Sequence, residues 1–195
     1  MNHGGLVVWL KAWADQVNTE KDYISDLDNA IGDGDHGFNM SKGLTAYLDA
    51  RAVKPAETIS DEFKMLGMTM LSKVGGASGP LFGSAFLSMS KDTAGKDELT
   101  LDDVITLLSN ALEAIQKRGK ATVGEKTMID VWHPAIELLK KNELTIDAID
   151  GLVNATIPMM ATKGRAAYLG ERSIGHIDPG SYSSGLMLKH LLSVL

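Results

Sequence analysis

Cysteine is absent from the 195 residues, which excludes disulfides and thiolate metal sites together. No apolar run approaches the roughly 20 residues that cross a bilayer. The opening MNHGGLVVWLKAW has no basic segment leading into a long apolar stretch, so no secretion signal is expected. Basic charge is also short: 19 Lys and Arg against 25 Asp and Glu leave a net charge of −6. That balance argues against a nucleic-acid binder, which usually shows a basic face. The expectation is a cytoplasmic protein that engages neither membrane nor nucleic acid. What is present is ordinary for a soluble globular chain, with 44% hydrophobic and 23% charged residues. One domain over residues 1–195 has room for a real core, whereas two would be cramped.

Sustained alternation with β-branched and aromatic enrichment is missing as well, and this leaves no candidate strand. Helical spacing recurs instead. Leu6, Trp9, Leu10, Trp13 and Val17 form one stripe, and Phe63, Leu66, Met70, Leu71 and Val74 form another. The clearest runs from Val104 through Leu107, Leu108, Ala111 and Leu112 to Ile115. Thr100 and Asp103 precede it as a cap with an acidic first turn, and it stops at Gly119. Further helices are predicted over 38–51, 80–91, 127–142, 145–163 and 182–194. The fold class is all-α. Segments 28–37, 75–79, 119–127 and 164–181 link the helices, and the last is long and glycine-rich. Such a loop in a helical protein is more often functional than idle.

The first linker raises the chemical question. Between Asp22 and Asp35 stand five carboxylates, with Asp26, Asp28 and Asp33 between, and no Lys or Arg falls among them. Carboxylates held close must protonate, spread into water or share a cation. A solvated acidic turn is the bland reading. Gly32, Gly34 and Gly37 let the backbone curl tightly enough to gather the side chains inward, and hard oxygen donors suit Mg²⁺ or Ca²⁺. An EF-hand counted from Asp33 fails, since position 5 is Gly37 and position 12 is Leu44. Magnesium needs fewer protein ligands because it keeps waters and borrows phosphate oxygens. The same stretch contains G-x-G-x-x-G, but no strand precedes it, and no G-x-x-x-x-G-K-[ST] or H-E-x-x-H occurs. A negative loop can thus face a negative phosphate if divalent cations lie between.

GGASGPLFGS, residues 75–84, ends one helix and begins the next, with Pro80 in the new first turn and Ser78 or Gly79 as its cap. Free amides at such a start bind anions, though a plain tight turn has the same composition. KGRAAYLGERSIGHIDPGS, residues 163–181, brings Lys163, Arg165 and Arg172, followed by His176 and Asp178. An arginine beside a transferring phosphoryl group neutralises its charge, although most single arginines are surface residues. An acidic loop, an anion-binding turn and a basic lid together make the parts of a metal-nucleotide phosphotransfer site.

The stretches LDNAIGDGDHGFNM, GGASGPLFGSAF, GEKTMIDVWHPA and GRAAYLGERSIGHIDPGS, in this order, closely resemble the nucleotide-binding L subunit of dihydroxyacetone kinase. The resemblance spans nearly the whole chain. It implies a barrel of about eight antiparallel helices with the nucleotide site at one end, holding ADP and two Mg²⁺. Carried over by motif, Asp28, Asp33 and Asp35 are the metal ligands. His36, Gly37, Phe38 and Asn39 line the nucleotide, and Ala77 and Ser78 meet its phosphates. Gly119 and Met128 border the adenine, Arg165 reaches the phosphates as the catalytic residue, and Asp178, Pro179 and Gly180 close over the nucleotide. Glu125 stands where the family more often has aspartate.

In the phosphotransferase-system version of this family the domain is a separate chain of about this size. There, resident ADP takes a phosphoryl group from a DhaM-type subunit's histidine, with ATP as the transient phosphorylated form. It then passes the group to dihydroxyacetone on a DhaK-type subunit. That version is favoured by a length with no room for a substrate domain. One rival is an ATP-consuming kinase module of the dihydroxyacetone or fatty-acid kinase type. Another is a non-catalytic module that keeps the nucleotide and docks on a transcription regulator.

Overall fold

The apolar stripes become the inner faces of eight α-helices in a computed structural model, which describes residues 1–195. They are α1 (His3–Ile31), α2 (His36–Val53), α3 (Ile59–Lys73), α4 (Ser78–Asp92), α5 (Leu101–Gly119), α6 (Ile129–Lys140), α7 (Ile146–Asn154) and α8 (Pro179–Leu192). A 3₁₀ segment, Arg165–Ser173, lies between α7 and α8. There is no strand, only an isolated bridge between Asn2 and Glu98. Each helix packs on the next in order, and α8 packs back on α1, so the elements close into a ring. Short connections reverse the direction at nearly every step, which gives the antiparallel barrel. No helix is long and apolar enough to cross a membrane.

Closure depends on the tryptophans. An indole carries a large apolar body and one N–H that needs a partner when buried. Trp9 and Trp13 of α1 donate to the carbonyls of Met187 and Ser183 in α8, at 2.8 and 3.1 Å. Trp132 of α6 donates to Ser184 Oγ at 3.0 Å. All three therefore fasten α8 to the ring while their bodies fill its interior. Trp13 lies against Phe82 and Phe86 of α4, with ring centroids 5.5 and 5.7 Å apart, so contacts cross the barrel as well as follow it.

Element ends follow local chemistry. The capping box at Thr100 and Asp103 is formed, and α5 ends at Gly119 with Lys120 left-handed. α4 begins at Ser78, with Ala77 rather than Ser78 or Gly79 at the cap position and Pro80 in the first turn. Two boundaries differ most from the sequence reading. α1 runs on through Ile31, so Asp28 belongs to its last turn rather than to a loop. α7 ends at Asn154 instead of reaching 163. Pro158 cannot donate a helical bond and biases Ile157 away from helical geometry.

Gly37, expected to line the nucleotide, also serves helix packing. An ideal Cβ there would lie 2.0 Å from the Lys21 carbonyl and 2.8 Å from the Ser25 amide nitrogen, both backbone atoms of α1. Only glycine allows this approach of α2 to α1. Gly37→Ala is expected to destabilise the fold by about 2 kcal/mol or more, lowering the thermal midpoint by roughly 4–8 °C. Gly151→Ala, on α7 with nothing within 4 Å of its Cβ, should leave the midpoint unchanged or raise it. Melting curves for the pair check both.

Candidate functional site

Every even-numbered helix begins at the same end of the ring: α2 at His36, α4 at Ser78, α6 at Ile129 and α8 at Pro179. First-turn amides lack partners within their own helix and carry the positive end of its dipole. At three of these starts the chain supplies acceptors. Asp28 Oδ2, from the last turn of α1, accepts the amides of Asp35 and His36 at 2.9 and 3.1 Å. Asp130 accepts the amides of Gly124 and Thr127 at 2.5 and 2.8 Å, just ahead of α6. Asp178 caps α8, accepting the Ser181 amide at 2.6 Å. α2 and α8 take Asp28 and Asp178, and Ile129 N of α6 lies 3.3 Å from Thr127 Oγ1, whereas the first amides of α4 have no side-chain acceptor.

Between these helix starts lies a cavity of about 550 Å³, within the usual range for small-molecule sites. Asp28, Asp33 and Asp35 line it together with His36 and Asn39. Ala77 and Ser78 line it from the start of α4, and Met128 from the start of α6. Asp178, Pro179 and Gly180 enter from α8, and Arg165 from the 3₁₀ segment. Three expected residues fall outside the lining. Gly37 is buried between α1 and α2. Phe38 is 52% exposed on the first turn of α2. Gly119 is exposed at the end of α5, behind Leu81, whose Cδ2 lies 3.1 Å from an ideal glycine Cβ.

The carboxylates converge. One oxygen from each of Asp28, Asp33 and Asp35 lies within 4.8 Å of the other two; Asp28 is buried and the others are exposed. With Oδ2 of Asp28 committed to α2, Oδ1 lies beside Gly32, where a Cβ would stand 2.1 Å away. Arg165, itself 66% exposed, pairs with Asp33 at 3.0 Å, bringing the 3₁₀ segment to the acidic loop. Hard oxygens at this spacing, two of them open to water, fit Mg²⁺ with its retained waters.

His36 is a structural neighbour of this cluster. Its Nε2 lies 3.0 Å from Ser183 Oγ and its Nδ1 2.8 Å from Ser78 Oγ. Ser183 Oγ donates to the Gly180 carbonyl at 3.2 Å, so it accepts from Nε2–H and leaves Nδ1 to accept from Ser78. Burial lowers the imidazole's pKa despite the nearby Asp28 and Asp35, which favours this neutral form. The ring thereby fixes the start of α4 against α8.

Several residues here carried no sequence signal of their own. Lys126, Thr127 and Tyr168 line the cavity, and Asp130 and Ser183 order it from behind. Thr127 three residues before Asp130 is the spacing of a helix-start signature and was legible in principle. Lys126 was not, because a lysine between Glu125 and Thr127 reads as a surface charge.

Burial pushes the Asp178 carboxyl up from 3.8 to about 6, with Asp130 adding repulsion, while the Ser181 bonds and Lys126 oppose the rise. A raised acid binds its proton more tightly when folded. Its contribution to stability is full below the unfolded value and is lost as pH rises through about 6. At about 1.4 kcal/mol per pH unit, the loss is at most about 3 kcal/mol. Asn also caps helices. Nucleotide-free Asp178→Asn should therefore melt higher than the parent at pH 7.5 and lose the parent's decline between pH 4 and 6. Parallel melts across that range test this.

A protein-family model, the DAK2 domain, matches residues 30–193. The ADP-binding subunit DhaL of a PEP-dependent dihydroxyacetone kinase from Listeria innocua is 50% identical over 184 residues, spanning 94% of this chain and 92% of that one. The ADP-binding subunit DhaL of the PTS-dependent kinase from Lactococcus lactis is 48% identical over 189 residues, 97% of this chain and 96% of that one. Among solved structures, the dihydroxyacetone kinase of C. freundii shares the fold with a TM-score of 0.74 at 23% identity. That match covers 96% of this chain and 34% of the longer kinase. The chain belongs to the DAK2-domain family, in the branch that contains the DhaL subunits.

Proposed function

We propose that the chain is the ADP-binding subunit of a phosphotransferase-system-dependent dihydroxyacetone kinase. It works in the cytoplasm with a DhaK-type subunit that holds dihydroxyacetone and a DhaM-type subunit that donates the phosphoryl group. Residues 1–195 act as one nucleotide-binding unit. The observation that carries the reading is the carboxylate triplet facing a helix start without a side-chain cap. Acidic ligands and a binding site for an anion share one cavity, a combination that suits a metal-complexed diphosphate. Relatives support the separate-subunit version: the alignment covers 92% and 96% of two free-standing DhaL subunits. It covers only 32% of human triokinase/FMN cyclase, at 28% identity.

In this reading Asp28, Asp33 and Asp35 hold two Mg²⁺, and the amides at Ala77 and Ser78 meet phosphate oxygens. Met128 and Pro179 offer apolar surface to the base, with Gly180 close enough to Met128 that an ideal Cβ would be 3.7 Å from its Cβ. When bound, the Mg-nucleotide supplies a phosphate terminus that accepts the phosphoryl group from phosphohistidine and yields it to the triose. The chain's own work is placement and charge balance. Its carboxylates fix the metals, its α4 amides orient the diphosphate, and Arg165 offsets charge on the group in transit.

Native mass spectrometry of protein purified without added nucleotide, with metal analysis, is the direct test. A mass excess of one ADP and two Mg²⁺ is expected. A chain that exchanges ATP and ADP freely would instead be an ATP-consuming module. Retained ADP that DhaM-type subunit never phosphorylates would point to docking on a transcription regulator. Asp33→Ala should release ADP and abolish transfer, and retained ADP with full activity would remove the metal assignment. Arg165→Ala should slow transfer by roughly 10³-fold while weakening ADP binding far less, read by single-turnover transfer beside equilibrium titration.

A further inference from the structure

Lys126 is 1% exposed, and its backbone is left-handed at φ 58, a conformation rare outside glycine. Lysine is almost never fully buried without a partner. Here the partners are main-chain carbonyls. Nζ lies 2.9 Å from Thr156 O, 3.4 Å from Ile157 O and 3.1 Å from Met159 O. It also lies 2.8 Å from Ser173 O and 2.6 Å from His176 O. An ammonium has three protons, so five acceptors around it are held by charge as much as by directed bonds. Rings of carbonyl oxygens serve potassium in the same way.

The five carbonyls come from two stretches of chain. Residues 156–159 lead from α7 into the 3₁₀ segment, and 173–176 lead out of it towards α8. Two further bonds tie the stretches together: Gly175 N to Ile157 O at 2.8 Å and Ala161 N to Ser173 Oγ at 2.8 Å. What lies between is the part that reaches the cavity, with Arg165 paired to Asp33 and Tyr168 89% exposed. On the other side, Lys126 is followed at once by Thr127 and Met128, which line the cavity at the start of α6. A second tie runs beside the first, from Thr162 N to Glu125 O at 3.3 Å. One buried side chain therefore joins the wall at α6 to both stems of the segment that bears Arg165.

We infer that Lys126 is a positioning residue: its ammonium is a built-in monovalent cation that clasps both stems of the 156–176 lid and so holds Arg165 at the cavity mouth. The carbonyl cage it fills accepts a free monovalent cation once the side chain is cut away. The consequence for nucleotide retention rests on the proposed function, whereas the clasp itself does not.

The test is amide hydrogen exchange on nucleotide-free full-length protein, comparing the parent with Lys126→Ala and Lys126→Met in NaCl, KCl and methylammonium chloride. In NaCl both variants should exchange roughly tenfold faster across 156–176 while the helices of the ring change little. KCl or methylammonium should restore slow exchange in Lys126→Ala. Lys126→Met, whose cage is plugged by an uncharged stem, should stay fast in every salt. An alanine variant that folds only with potassium or methylammonium is the same result in stronger form. Parent-like exchange in both variants, acceleration spread evenly over all helices, or an alanine variant indifferent to the cation would each overturn the clasp. A second readout is loss of Mg-ADP, expected to be about tenfold faster in Lys126→Ala and slowed again by potassium. If the parent binds no Mg-ADP, the proposed function falls while the exchange data still decide the clasp. If ADP is retained and exchange at 156–176 ignores the substitution, the clasp falls and the function stands.

Discussion

Four helices start at one end of this ring, and their unpaired first-turn amides are the demand that the site is built to meet. In an antiparallel barrel with short connections the helix starts at one end alternate with helix finishes, so the gathering follows from topology alone. Each start brings about half a positive charge and several amides that cost free energy if left dry. The chain answers with Asp28 at α2, Thr127 at α6 and Asp178 at α8. The acidity of the cavity is thus partly structural. What remains beyond structural need is Asp33 and Asp35 on one side and the open start of α4 on the other.

This division depends on the ring staying closed. α1 and α8 are the first and last helices and share no connecting loop, and a long excursion also separates α8 from α7. Side chains must hold the seam, and the three indole N–H groups do so from α1 and α6. Ser183 is where seam and site meet. Its carbonyl receives Trp13, and its hydroxyl receives His36, whose other nitrogen takes the Ser78 hydroxyl. A displacement of α8 is therefore transmitted to α4 through one neutral imidazole, which is stiff and buried. The excursion ahead of α8 is held by different means, an internal ammonium and backbone ties, with little apolar burial of its own.

Much of this was legible in the sequence, for identifiable reasons. Helical stripes such as Val104 to Ile115 are read from spacing, because 3.6 residues per turn is a property of the chain alone. The acidic loop was legible because five carboxylates without a cation are physically anomalous at any location. Asp28 was given by resemblance rather than spacing, and its place in the last turn of α1 explains why: the residue acts across a helix end that sequence blurs. The packing role of Gly37 was hidden for a related reason. A glycine that gives a loop its curl and one that lets two helices touch look alike until the partner backbone at Lys21 and Ser25 is in view. Lys126 was invisible because its five acceptors are main-chain carbonyls, which any sequence offers everywhere.

Asp28 joins fold and site most directly. One carboxylate oxygen holds the start of α2, the other lies beside Gly32, which leaves it room, and the group stands within 4.8 Å of Asp33 and Asp35. A carboxylate accepting two amides is well oriented before any cation arrives, so little rotamer freedom is lost when its second oxygen becomes a ligand. Asp33 and Asp35 are exposed and hold no helix start, Asp33 meeting only the exposed Arg165. The cluster therefore combines one fixed donor with two adaptable ones, which suits a hard cation that must accept phosphate oxygens and waters in its remaining positions. The same asymmetry separates the costs of change. Loss of Asp33 or Asp35 removes a ligand, whereas loss of Asp28 also leaves two α2 amides without their acceptor, so fold and site fail together there.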